Sequence, residues 1–447
     1  MDFDNLTPFD ARAFNGFDTQ DRAYHVIAMA VGYRLVRQPD GSWQARIMDD
    51  EPVALCLGDM HTGEPASSSL LRESDMVPYK PRCDVLVIGH SHAPGGQSAR
   101  QWNARLRLTK CPDVAIAPPD KPAPLNPRMA LTDAQQQRWQ AEQLRHHKAR
   151  DAARQVPPTV VLDKTLRISG PSQFKRRFLR GYRRTRIEPV TQVALRYELA
   201  WGGACRVDDP SRPDSPPLLN EVCLSNPVGC GWLHKRWFKA LRKARLARPK
   251  VLPAPQIDTP HDGRLSKPMV KKHPKGELDA KTMARIARAY GRSPAGFGPL
   301  GKAWAPRLAL AGTYDERWLD ERHPRLPEDF DFAYWNGAPA DQQIDFPDLT
   351  EHYRLVTDNL IPGGGPMAVD LPPHRAVVLA DLGGLNLPFP MLIDTLILDT
   401  DTLVLTTVWR TAMRQSVEPE RIEARFITDP QAPWVPWRPI DADEAAA

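Results

Sequence analysis

Proline occupies 46 of the 447 positions, about twice its average share, and this limits every regular element the chain can form. Each proline removes a backbone donor and fixes φ near about −65°, which excludes long helices, coiled coils and extended central strands wherever it falls. Many short elements joined by structured turns remain possible, and the 27 glycines point the same way. A chain of this length supports two or three compact units, and its 41% hydrophobic content is sufficient for a sizeable core.

Between the prolines, β-branched or aromatic-rich runs at Ala23–Val36, Trp43–Met48 and Asp84–Gly89 read as strands, set off by turns such as Pro39-Asp40-Gly41. The same pattern returns at Thr159–Ile168, Val193–Leu199, Met367–Leu371, Arg375–Leu382, Met391–Leu398 and Thr402–Trp409. The expected fold is mainly β, with two sandwich-like β units, long Pro/Gly-rich loops and inserted helices. An N-terminal β-rich domain over 1–220 would carry a helical insertion at about 112–158, in which the Pro-rich stretch Pro118–Pro127 leads into a helix from Thr132 to Arg154, capped by Thr132 or Asp133. A basic helical and linker insertion would fill 221–292 and include helices at Leu233–Arg248 and Leu278–Tyr290. A C-terminal β-rich domain would span 293–430, with a flexible tail over 431–447.

Charge is unevenly distributed. The net charge of +6, from 60 Lys and Arg against 54 Asp and Glu, is far below what nucleic-acid binding alone would suggest. Yet Lys175–Arg186 holds seven basic residues and no acid, which reads as a basic loop or hairpin, whereas Asp315–Glu351 holds eleven acids against three Arg. In Leu233–Arg248, apolar residues recur at helical spacing among Lys and Arg. This expected basic amphipathic helix supplies the candidate partner-binding residues Lys235, Trp237, Phe238, Lys239, Leu241, Arg242 and Arg245. The six cysteines form no Cys-x-x-Cys pair and read as reduced structural thiols. No stretch approaches the roughly 20 apolar residues of a membrane span, and the acidic start lacks a secretory pattern, so a cytoplasmic protein is expected.

Few segments carry a pattern suited to chemistry. Gly89-His90-Ser91-His92-Ala93 approximates the Gly-x-Ser-x-Gly elbow of a hydrolase, but Pro94-Gly95-Gly96 opposes the helix that the elbow requires. His90 and His92 would share one face of a strand and could hold a metal, yet no third ligand is identifiable. Asp399-Thr400-Asp401 reads as a hairpin turn, and Gly363-Gly364-Gly365, between Pro362 and Pro366, as a flexible connector. No catalytic residue, cofactor or metal ligand is therefore expected. A hydrolase or metal-dependent enzyme centred on Gly89–Ala93 is the alternative, and a basic scaffold for lipid or nucleic acid is a second.

A longer pattern runs through Ser68–Pro81, Asp84-Val85 and Gly89-x-x-x-Ala93-Pro94. It continues through Tyr197-Glu198-Leu199-Ala200-Trp201-Gly202-Gly203, Asn226-Pro227-Val228-Gly229-Cys230-Gly231 and Pro255-Gln256-Ile257. Ser293–Pro299, Trp304–Arg307, Ala311-Gly312-Thr313-Tyr314-Asp315-x-x-Trp318, Leu326-Pro327-x-Asp329-Phe330-Asp331 and Asn336–Gln342 follow, and Asp394-Thr395 to Trp409-Arg410 completes the series. Over about residues 20 to 412 the chain resembles a bacterial type VI secretion family of effector adaptors or chaperones, encoded beside spike and effector genes. Gly170-Pro171-Ser172-Gln173-Phe174 departs from that family's Gly-Asp-Arg-x-Trp-like signature, and 111–158 looks like an insertion. The resemblance implies binding of a toxic effector and loading onto a spike tip of the proline-alanine-alanine-arginine repeat (PAAR) class, without catalysis. In that reading Gly202, Gly203, Asn226, Pro227, Gly229, Gly312, Asp315, Trp318, Asp329 and Phe330 are architectural, because Gly, Pro and aromatic residues suit special backbone geometry and loop clamping.

Overall fold

The computed structural model describes residues 2–65, 67–112, 131–177, 181–260, 267–271, 294–347, 353–429 and 432. The expected helix at Leu278–Tyr290, the Pro-rich stretch at Pro118–Pro127 and nearly all of the 431–447 tail lie outside these residues.

The fold is mainly β, as the short alternating runs predict. Its largest sheet has ten strands, with the main path Asp2–Asn5, Arg421–Ile427, Arg375–Asp381, Asn386–Asp399, Val404–Arg414, Ala23–Arg37 and Asp10–Phe17. The first and last strands of this path are consecutive in the chain, joined only by residues 6–9, so the sheet curls towards itself into a nearly closed, barrel-like form. Phe9, at the joint, packs edge-on against Phe426 at 4.9 Å, and Leu6 N–H donates to the Ala424 carbonyl at 3.1 Å. A five-stranded sheet runs Ile257–Asp258, Thr159–Ser169, Gln101–Lys110, Tyr353–Asp358 and Pro366–Asp370. Alternate residues of both sheets, among them Ile27, Met29, Leu106, Leu108, Leu166, Leu355 and Leu396, meet in one core.

Both principal sheets mix strands from the two ends of the chain. Cys83–Ile88 lies parallel to Thr395–Asp399, and Ala23–Arg37 pairs antiparallel with Val404–Arg414. The β-rich units expected over 1–220 and 293–430 are thus built into each other rather than placed side by side.

Local expectations hold where periodicity and caps coincide. The first helix spans Asp133–Gln155; Thr132 Oγ1 accepts the Gln135 N–H, while the Gln135 side chain accepts the Thr132 N–H, a reciprocal cap. Proline proves less disruptive than its reputation at Pro388 and Pro390, which lie within the 14-residue strand Asn386–Asp399. They occupy the half that pairs only with Arg375–Asp381, where an N–H directed at the open edge is dispensable. The expected strand Val193–Leu199 is shorter, Gln192–Ala194 followed by a 3-10 turn at Tyr197–Leu199. The triple glycine is not a flexible connector: all three residues have positive φ, and a Cβ on Gly364 would lie 2.3 Å from the Ala93 carbonyl oxygen. Only glycine permits this close-packed turn.

Candidate partner-binding surface

The expected basic helix at Leu233–Arg248 is much shorter, spanning only Trp237–Lys243. Leu233 belongs instead to the strand Cys230–His234, whose parallel pairing with Trp201–Gly202 and Met269–Lys271 withdraws it from the helix. At the other end the chain stops in a Schellman arrangement: Leu246 N–H reaches the Leu241 carbonyl at 2.8 Å and Arg245 N–H the Arg242 carbonyl at 3.1 Å. The left-handed residue of that motif is Arg245, with φ of 55°, where glycine is usual. No glycine marks this stop in the sequence, which explains the overrun.

Trp237 and Leu241 are buried in a second core with Phe174, Tyr182, Trp201 and Trp232, so they hold the helix rather than face a partner. Lys235, Lys239, Arg242 and Arg245 are exposed. Phe238 is half-buried between the two: it stacks on Tyr182 at 6.4 Å and carries the Arg248 guanidinium 4.6 Å above its ring. Tyr182 belongs to the basic hairpin formed by Gln173–Arg177 and Gly181–Arg184, and its hydroxyl donates to the Pro249 carbonyl. A third strand, Val251–Pro253, pairs with Gln173–Lys175. Two basic segments some sixty residues apart in sequence are therefore folded into one module.

The register of this small sheet sets the direction of its charges. Phe174 and Tyr182 point into the core, so Lys175 and Arg183, directly opposite one another, point outward, with Val251 on the far side of Lys175 and Arg177 two residues along. Like charges in direct cross-strand register are destabilising. The sequence shows the basic run but not this pairing, since register is not visible in composition; Lys175, Arg177 and Arg183 consequently join the candidate residues only in the folded chain.

The architectural candidates are tightly interlocked. Asn226 is fully buried and its Nδ2 donates to the Tyr197 and Trp201 carbonyls, both at 3.0 Å, while its own carbonyl accepts Gly203 N–H at 2.8 Å. A Cβ on Gly202 would come within 2.1 Å of the Asn226 carbonyl oxygen, and one on Gly229 within 2.5 Å of Asn226 Nδ2. Pro227, half-buried, continues this knot. In the acidic segment Asp315 caps the helix Glu316–Glu321 by accepting the Trp318 N–H, and Trp318 Nε1 donates to the Arg325 carbonyl. Asp329 accepts both the backbone N–H and the hydroxyl of Thr313 beside Gly312, and Phe330 is buried against Trp335 and Tyr334. Asp329 and Asp315 are nevertheless exposed at their outer edges.

Other members of the long motif series form buried ion pairs that inspection of sequence did not single out. Glu73 holds Arg307 in a two-pronged contact, and Arg307 also donates to the Tyr334 and Leu300 carbonyls. Lys80 Nζ donates to Asp84 at 3.0 Å and to Thr395 Oγ1 at 2.8 Å, while Asp84 also accepts N–H groups from Asn336, Gly337 and Ala338. Burial pulls the Lys80 pKa down, but Asp84, Asp394 and Glu73 more than offset it and keep the ammonium charged. Asp394 in turn pairs with Arg410. Each pair joins segments more than 200 residues apart or anchors one such joint, a clamping role.

The Gly89–Ala93 segment runs strand, glycine, strand: Cys83–Ile88, Gly89 at φ of 96°, then His90–His92 paired with Gln192–Ala194. Ser91 is fully buried; its hydroxyl donates to the Asn359 carbonyl and accepts Trp102 Nε1–H. His90 Nδ1 lies 2.9 Å from an Asp401 carboxylate oxygen, within the hairpin turn expected at Asp399-Thr400-Asp401, and burial lowers the pKa of His92. Among the described residues no group of three or more His, Cys, Asp or Glu is arranged to hold a metal ion. Among the same residues no helix is long and apolar enough to cross a membrane.

The geometry defines a mainly β protein with a cationic surface module held by an aromatic stack. The chain belongs to the bacterial family described as "Uncharacterized protein conserved in bacteria (DUF2169)", whose model matches residues 20–115 and 139–410. The family match skips 116–138, inside the segment that reads as an insertion, and resumes within the Asp133–Gln155 helix. No curated protein and no solved structure matches the chain significantly.

Proposed function

We propose that this chain is a non-catalytic adaptor that binds a toxic effector in the cytoplasm and assists its loading onto a PAAR-class spike tip of a type VI secretion system. The observation that carries the binding part is the cationic module. Residues 173–186 and 235–250 contain no acid, and the contacts among Tyr182, Phe238 and Arg248 bring them together. A concentrated field of one sign raises the encounter rate with an acidic partner and disfavours wrong ones. Arg245 adds support: a non-glycine residue is kept in a left-handed conformation while its charge stays exposed, the kind of local strain that persists at functional sites. The secretion context rests on the motif resemblance described above.

Co-purification provides the test. Tagged full-length chain is expected to retain an effector and a spike-tip protein encoded beside it, and deletion of its gene is expected to abolish export of that effector alone. If neither protein is retained and export is unchanged, the adaptor reading fails.

A further inference from the structure

The acidic segment is opposite to the cationic module in charge and similar to it in makeup. In the short helix Glu316–Glu321, Glu316, Leu319 and Asp320 stand at i, i+3 and i+4, so one face sets two carboxylates beside an aliphatic side chain that is 58% exposed. Tyr314, 54% exposed, packs edge-on against Trp318 at 4.6 Å. Glu316 and Asp320 form no ion pair among the described residues, because Arg317 is taken by Glu321 while Arg322 and Arg325 are drawn to Asp21. Arg322 also donates to the Thr19 carbonyl at 3.0 Å, and Trp318 Nε1 to the Arg325 carbonyl. The face is thus fixed to the turn at 18–22 before any partner arrives, which lowers the ordering cost of docking. The module presents the converse: Lys235, Lys239, Arg242 and Arg245 are exposed and form no ion pair among the described residues, and Leu246, 41% exposed, lies at the helix stop among them.

We propose that the face bearing Tyr314, Glu316, Leu319 and Asp320 in one copy of the chain docks on the 235–246 face of a second copy. Each face is apolar surface set among like charges that repel one another while uncovered. Docking would bring Glu316 and Asp320 against Lys239 and Arg242, cover Leu319 and Leu246, and offer the Tyr314 ring to a cationic head group. Exposed carboxylates disfavour nucleic acid and anionic bilayers at the acidic face. A cationic protein face is required there, and this chain supplies one. The two faces differ, so the contact is heterologous and each copy can engage one neighbour through each face. It stands without the adaptor reading, although it uses the module assigned there to an effector, so a second copy and an effector would compete.

Sedimentation velocity on the full chain tests the contact. The weight-average mass is expected to rise with concentration at about 50 mM NaCl, and the association to weaken roughly tenfold or more at about 500 mM. K239E/R242E adds carboxylates to the cationic face and E316K/D320K adds ammonium groups to the acidic one. Each variant alone is expected to be monomeric, and an equimolar mixture to associate, a recovery that also shows both variants to be folded. On the wild type, hydrogen exchange is expected to slow at high concentration in 314–321 and 235–246, a readout that needs no variant. A wild type that stays monomeric at low salt, association that persists in either variant alone or protects neither segment, or folded variants that stay monomeric when mixed would overturn the proposal. Effector retention by a chain that never self-associates refutes this contact alone, and self-association by a chain that retains no effector refutes the adaptor role alone.

Discussion

Asn226 shows how much a single side chain determines here. Its amide satisfies the carbonyls of Tyr197 and Trp201 in a site without solvent, and Gly202 and Gly229 are glycine because any Cβ would strike it. Replacing Asn226 by Ala strands two buried acceptors, so N226A is expected to lower unfolding free energy by about 2–4 kcal/mol, read from the urea midpoint at constant slope. Histidines set a second residue-scale property. Burial lowers the pKa of His25, His92 and His374, all below the ordinary 6.5. A folded state that holds its imidazoles neutral binds fewer protons than the unfolded chain. The stability contribution is therefore complete above about pH 6.5 and is lost as pH falls through the lowered values. Urea midpoints are expected to drop between pH 7.5 and 5.5, and H374Q is expected to flatten that dependence; an unaltered profile in the variant would remove His374 from the account. The Tyr33 hydroxyl, 3.2 Å from His374 Nδ1, gives the neutral ring its partner.

At the scale of elements, the short helix Trp237–Lys243 separates stability from binding. R245G relieves a left-handed non-glycine residue and is expected to stabilise the chain by about 1 kcal/mol while reducing effector retention. The double substitution K239Q/R242Q touches only exposed side chains and is expected to leave stability within about 0.5 kcal/mol while also weakening retention. Paired denaturation and pull-down measurements check both; an R245G variant less stable than the wild type would show that Arg245 is not strained in its left-handed conformation. The first helix is legible in the sequence to within one residue at each end because Thr132 and Gln135 give a local signal. The bounds of the second are not legible, because Leu233 is taken by a strand pairing and the stop is built on Arg245 instead of glycine. The basic residues were legible, but the Lys175–Arg183 pairing and the Tyr182–Phe238 stack were not, since both depend on segments meeting across long intervals.

For the whole molecule, closure of the large sheet is the governing fact. Its central members come from both ends of the chain, and the buried Glu73–Arg307 pair, together with Arg410, which Asp394 holds and which donates to the Val77 carbonyl, clamps distant segments together. Removing one member of a buried pair leaves an uncompensated charge, typically costing about 3–5 kcal/mol. Residues 1–220 and 293–430 expressed apart are accordingly expected to lack cooperative unfolding, and to regain it, by circular dichroism and calorimetry, when co-expressed with the segment between them. Cooperative melting of either piece alone would show that the shared sheet is not required.

The sequence by itself determined the β class, the approximate position of most strands, the first helix and its cap, the turn at Asp399-Thr400-Asp401 and the places where opposite charges concentrate. These follow from alternation, capping chemistry and composition, which act over a few residues. Tertiary structure alone decided that both ends of the chain share one sheet, that Trp237 and Leu241 are core while Lys175 and Arg183 face outward together, and that two distant basic runs form one module. Strand order, register and ring stacking are set by free-energy differences between segments far apart in the chain, and a local pattern carries no record of which distant partner a segment will meet.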